Sequence, residues 1–120
     1  MITGIHAMFY SSDAAQTRAF LRDKLGLKWC DVHDGWLIFH APAGEIGCHP
    51  SDAPDGAPPG MHGVSFYCDD VRQTVAELKA KGVEFVDDIT DAGFGLITNF
   101  KMPGGVKAML YQPRYQLKFQ

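Results

Sequence analysis

The sequence has no apolar run near the roughly 20 residues that a membrane span requires, so no membrane partner is expected. It opens without the basic stretch and apolar segment of a secretory signal, so a cytoplasmic protein is expected. Cysteine is scarce. Cys30, Cys48 and Cys68 are odd in number and form no C-x-x-C pair, which argues against both a disulfide framework and a cysteine zinc site. They read as reduced thiols that behave as small hydrophobes. Basic residues are scattered and outnumbered, 11 Lys and Arg against 14 Asp and Glu. Without a basic tract there is no electrostatic footprint for nucleic acid.

What is present fits a single domain over residues 1–120. Gly4 to Ser11 reads as a strand. Asp13 with Gln16 three residues on is close to a capping box, and "AAQTRAFLRDKLG" then reads as a helix stopped by Gly26. "LKWCDV", "WLIFHA" and "EIGCHP" read as strands, the first two separated by the "HDG" turn. The stretch "SDAPDGAPPG" is dense in proline and glycine and reads as a linker. The order then repeats. "HGVSFYC" is a strand, Asp70 with Gln73 caps "VRQTVAELKAK", Gly82 stops it, and "VEFVDDI", "GLITNFK" and "VKAMLYQP" are strands.

Each half is therefore strand, helix and three strands. Module 1 covers about 1–51, the linker about 52–60 and module 2 about 61–120. At an offset of 56, His6 pairs with His62, Asp13 with Asp69, Gly26 with Gly82 and Leu27 with Val83. The expected fold is α+β, with two tandem βαβββ modules forming a cupped mixed sheet around a pocket.

Strand alternation then groups side chains by face. His6 goes with Met8 and Tyr10, Glu45 with His49, His62 with Phe66 and Cys68, and Lys107 with Met109 and Tyr111. If the two modules are related by a pseudo-twofold, His6 and His62 converge, and Glu45 adds a carboxylate. Two imidazoles and one carboxylate suit a divalent transition metal with open positions. Tyr10, His49, Phe66, Lys107, Met109 and Tyr111 are the candidate pocket residues.

The segments "TRAFLRDKLGLKW", "HGVSFYCDDVRQTVAELKAKGVEF" and "MPGGVKAMLYQ" resemble the vicinal oxygen chelate superfamily, which includes glyoxalase I, extradiol dioxygenases and bleomycin-resistance proteins. The resemblance runs over essentially the whole chain. It implies metal ligands on the first, fourth, fifth and eighth strands, which here are His6, Glu45, His62 and Met109. The last of these departs from the family, whose glutamate is a methionine in this chain. A thioether is a poor ligand for Fe, Mn, Ni or Zn and cannot act as a base. Glu45 is then the candidate catalytic carboxylate of a rearranged triad. The resemblance implies a homodimer acting on a small molecule, and it leads to two readings. The favoured one is a divalent-metal-dependent lyase, isomerase or dioxygenase acting on a small vicinal-oxygen substrate. The other is a metal-free protein that sequesters a small molecule, of the bleomycin-resistance type.

Overall fold

A computed structural model describes residues 7–9, 11–41, 43–44, 57–59 and 62–114. The architecture is α+β. Helix α1 (Ala14–Asp23) is followed by strands β1 (Trp29–His33) and β2 (Trp36–Phe39), then by β3 (Ser65–Tyr67), helix α2 (Val71–Ala80), β4 (Thr90–Asp91), β5 (Gly95–Met102) and β6 (Val106–Pro113). β1 and β2 form an antiparallel hairpin. The other four strands form one mixed sheet in the order β3-β6-β5-β4, in which β3 runs parallel to β6 and the remaining pairs are antiparallel. The second half is thus a βαβββ unit. Of the first expected strand only residues 7–9 and 11 are described, and the strand "EIGCHP" and most of the linker lie outside the described residues.

Both helices begin as their sequences dictate. The Asp13 carboxylate accepts from the Gln16 N–H at 3.2 Å, and the Asp70 carboxylate accepts from the Gln73 N–H at 3.1 Å, so each satisfies a backbone donor that the helix leaves open. The helix ends also correspond. Lys24 Nζ donates to the Lys81 carbonyl at 2.6 Å, and Lys81 Nζ donates to the Lys24 carbonyl at 3.3 Å. Each lysine places a cation at the other helix's negative C-terminal end.

These contacts correct the repeat register. Asp13 matches Asp70, not Asp69, α1 matches α2 and Lys24 matches Lys81, all at an offset of 57. Phe9 and Phe66, also 57 apart, face each other with ring centroids at 6.3 Å. The offset falls to 56 only beyond the helices, at Gly26 and Gly82, because the first connection is one residue longer. Of the pairs matched at 56, only those after the helices keep that offset, and the caps set the register of the strands before them. In this register the counterpart of His6 is Gly63 and not His62.

The core lies between the helices and one face of the four-stranded sheet. Val71, Val75 and Leu78 of α2 and Leu21 of α1 pack with Phe100, Met102, Ala108 and Leu110. Phe100 is fully buried and contacts three other rings: Phe20 at 6.2 Å, Phe66 at 6.1 Å and Phe85 at 5.8 Å.

The expected strand "VEFVDDI" is reduced to an isolated bridge between Phe85 and Phe100, with β4 resuming at Thr90. The cause is Asp87. Its carboxylate accepts from the Asn99 N–H at 2.8 Å, from Thr98 Oγ1 at 3.0 Å and from Asn99 Nδ2 at 3.0 Å. A side chain has taken a donor that a ladder would use. These bonds, led by that from the Asn99 amide, hold the Asp87 carboxyl below the usual range. A depressed pKa stabilises the fold above the unfolded value of about 4, and that contribution is lost as pH falls through the folded value. Asp87→Asn is therefore expected to lower the unfolding midpoint at pH 7 and to flatten the acid slope below pH ~4. Thermal unfolding of both proteins at pH 7 and pH 3 checks this, and parallel acid slopes would sink it.

Candidate functional site

The face of the four-stranded sheet away from the helices is set by period-two alternation. Thr98, Phe100 and Met102 of β5 and Ala108 and Leu110 of β6 are buried under the helices, so Ile97, Asn99, Lys101, Lys107, Met109 and Tyr111 point the other way. β3 is in register with β6, Ser65 opposite Met109 and Tyr67 opposite Tyr111. β5 places Asn99 opposite Met109 and Ile97 opposite Tyr111. The open face thus has a row of Asn99, Met109 and Ser65 beside a row of Ile97, Tyr111 and Tyr67. Lys101 and Lys107 stand opposite each other at one end, where Lys101 Nζ bonds the Glu84 carboxylate at 3.2 Å.

The aromatic groups on this face are joined edge to face. Tyr111 meets Tyr67 with centroids at 6.1 Å and Phe94 at 5.8 Å, geometries that aromatic quadrupoles favour. Tyr111 is buried, whereas Phe94 is 47% exposed. The Tyr67 hydroxyl donates to the Ala43 carbonyl at 2.6 Å, which ties the loop after β2 to this face. The result is an apolar, aromatic floor with amide and hydroxyl groups at its middle and two ammonium groups at one end.

Met109, Tyr111 and Lys107 share this face, as the sequence pattern requires, with Met109 half-buried and Lys107 exposed. Phe66 is a correction. It lies opposite Leu110 and packs against Phe100 and Phe9, on the core side of the sheet. The open-face residues of β3 are Ser65 and Tyr67, because a one-residue slip exchanges the two faces of a strand. Counting from the cap at Asp70, as Asp13 counts from its own helix, would have found them. His62 is exposed and precedes β3, four residues before Phe66 and hence in phase with the core side. His6, Tyr10, Glu45 and His49 lie outside the described residues.

A family model for the Glyoxalase/Bleomycin resistance protein/Dioxygenase superfamily matches residues 5–110. The chain belongs to this superfamily. Among solved structures, superfamily-like folds recur under different activities. The antibiotic binding protein TnmS3 from Streptomyces sp. CB03234 is 23% identical with a TM-score of 0.58, over 91% of this chain and 99% of that one. A lactoylglutathione lyase from Agrobacterium tumefaciens is 17% identical with a TM-score of 0.61, over 86% and 87%. The fosfomycin resistance protein FosX from Listeria monocytogenes is 16% identical with a TM-score of 0.55, over 94% and 93%. No curated protein sequence matches the chain. At these identities the structures show a shared fold, and function has to be argued from the site.

The donor chemistry tests the superfamily's divalent metal against the residues described. Of the ligand positions that the resemblance implies, the last is the Met109 thioether, and Gly63, two residues before Ser65 and in phase with the open face, offers no side-chain donor. Among the described residues no group of three His, Cys, Asp or Glu side chains stands close enough to hold a metal ion. Neither Met109 nor Gly63 offers the donor a hard divalent ion prefers, and His6 and Glu45 lie outside the described residues. Cys68 is no substitute nucleophile, because burial pushes its half-buried thiol up, away from the reactive thiolate.

Proposed function

We propose that this superfamily member binds a flat, largely apolar small molecule on the open sheet face, by burial and stacking and without a metal ion. The observation that carries this reading is Met109 at the centre of the face, flanked by Ser65 and Asn99 and next to the Tyr67–Tyr111–Phe94 aromatic group. A methionine adapts to irregular apolar ligands and favours contact with rings. Asn99 and Ser65 supply the few polar groups that orient a ligand in an otherwise apolar site. The description of TnmS3 as an antibiotic binding protein accords with this reading. It departs from the metal-dependent enzyme favoured by the sequence pattern, because Gly63 and Met109 occupy two of the four ligand positions.

Metal content and ligand binding test the proposal together. Wild-type protein exposed to Zn or Mn and then desalted is expected to retain well under one ion per chain. The Gly63→His/Met109→Glu double variant, which restores both donors, is expected to gain about one. A Cβ at Gly63 meets nothing within 4 Å, so the new imidazole is accommodated. Acridine serves as the planar probe. Its affinity is expected to be unchanged by EDTA and to fall at least about tenfold in Met109→Lys, which puts a charge in the middle of an apolar floor. Stoichiometric metal in the wild type, or loss of acridine binding on chelation, would return the protein to the metal-dependent class.

A further inference from the structure

The two modules treat the space beneath their helices differently. In module 2 the sheet-facing positions of α2 are Val71, Val75 and Leu78, all buried. At an offset of 57 their counterparts in α1 are Ala14, Arg18 and Leu21. Leu21 is buried like Leu78, but the two valines have become an exposed alanine and a half-buried arginine. The neighbouring pairs still correspond. Arg22 lies 6.0 Å from the centre of the Trp29 ring, as Lys79 lies 5.9 Å from that of Phe85. The frame therefore recurs in both modules, and among the described residues the first lacks the two valines that fill the second.

What remains is a groove of about 250 Å³ between α1 and the β1–β2 hairpin. Ala15 and Ala19 form the helix wall, and Trp29 and Leu37 form the apolar wall opposite. Its charged groups are Arg18, Arg22 and Asp31. The Arg22 guanidinium is held by Asp23 through two bonds of 2.7 and 2.9 Å. The Asp31 carboxylate accepts from the backbone N–H groups of His33 and Gly35 in the hairpin turn. Neither Arg18 nor Asp31 has an ion-pair partner among the described residues, but Arg18 alone of the three makes no hydrogen bond there. Its guanidinium lies 4.5 Å from the centre of the Trp36 ring, so stacking presents it with its donors unspent.

We infer that this groove is a second small-molecule site, separate from the sheet face, for an aromatic anion whose ring lies between Ala15, Ala19, Trp29 and Leu37 and whose carboxylate or sulfonate meets Arg18. The volume is below the roughly 300–1,000 Å³ of drug-sized pockets and suits a fused bicyclic ring. Free donors select the oxyanion, since the Asp31 carboxylate already accepts from backbone N–H groups whereas the Arg18 guanidinium has its donors open, and a guanidinium pairs with an oxyanion in bidentate fashion.

The two tryptophans of the chain are Trp29 and Trp36, and both belong to this hairpin. Their indole N–H resonances therefore report on the groove, and 2-naphthoate is the probe. Titration of the full chain is expected to shift both resonances together, with saturation below about 1 mM. Arg18→Met, which keeps the apolar stem, is expected to weaken binding about tenfold, and uncharged 2-naphthamide should bind wild type about tenfold more weakly than the acid. Met109→Lys should leave the titration unchanged. Resonances that stay still at several millimolar naphthoate, equal binding of acid and amide, or an unaltered titration in Arg18→Met would each overturn the inference. Loss of the shifts in Met109→Lys would assign the binding to the sheet face instead. Failure of the acridine experiment with success of this one would leave the groove standing without the sheet-face reading.

Discussion

Phe100→Ala is expected to lower the unfolding free energy by about 4 kcal/mol, the largest effect of any single truncation in the core. Phe100 is fully buried. Its ring meets Phe20 from α1, Phe66 from β3 and Phe85 from the segment before β4. Truncation removes the transfer energy of the ring and leaves a cavity that three separate elements would have to move to fill. Those elements are fixed by independent constraints, since β3 is hydrogen-bonded to β6 and Phe85 bridges the backbone of Phe100 itself. Collapse is therefore limited and the cost falls toward the high end. Urea unfolding with the slope held in common measures it. A loss under about 1 kcal/mol would mean that these rings do not converge on Phe100. Because Phe66 rests on Phe100, the same variant should also weaken acridine binding by loosening β3 beneath Ser65 and Tyr67.

The second large effect is expected at the turn between β5 and β6. Gly104 has φ of +83°, a conformation that costs an L-residue roughly 1–2 kcal/mol. A Cβ added there would overlap Ser11 Oγ and lie 2.9 Å from the Asp13 nitrogen. The turn is docked on the N-terminus of α1. The Gly104 carbonyl accepts from the Ser12 N–H at 3.0 Å, and the Pro103 carbonyl accepts from the buried Thr17 hydroxyl at 2.8 Å. Gly104→Ala must therefore strain the backbone and also push the helix start away, for about 3 kcal/mol in all. Gly105 is the internal control. Its φ is +75°, but a Cβ there meets nothing within 4 Å, so Gly105→Ala should cost only the backbone strain. Equal losses in the two variants would show that the turn does not seat on α1. The test bears on function because this contact joins the first helix to the strand that carries Met109.

The two helices, the β1–β2 hairpin and the long strands β5 and β6 were legible in the sequence because their signals are local. An Asp cap, an Asp-Gly turn and strict alternation each act within a few residues. β6 runs over Val106–Pro113, as the sequence "VKAMLYQP" indicates. The segment "VEFVDDI" misled because apolar alternation predicts a strand, whereas the Asp87 carboxylate takes the Asn99 N–H from the ladder. That competition needs β5 alongside, so no local pattern reveals it.

The site was legible only in part, and Phe66 and His62 show why. The pairs His6/His62, Asp13/Asp69, Gly26/Gly82 and Leu27/Val83 suggested an offset of 56, which makes the histidines equivalent. The helix caps, the reciprocal Lys24–Lys81 bonds and the Phe9–Phe66 contact require 57. One residue is immaterial along a chain but exchanges the faces of a strand. It moves Phe66 to the core and brings Tyr67 beside Tyr111.

By itself the sequence determined the superfamily fold, the duplicated helix with its caps, and the presence of a thioether where the resemblance implies a carboxylate. Those are properties of residue identity and order, which local sterics and hydrogen bonding convert directly into structure. Only the tertiary structure decided which side chains share a surface. Faces are set by strand register and by what lies across the sheet, and both depend on residues far apart in the chain. Met109 became the centre of an aromatic floor, and Arg18 a guanidinium with open donors beside a groove, only once their neighbours from other strands and from the hairpin were in place.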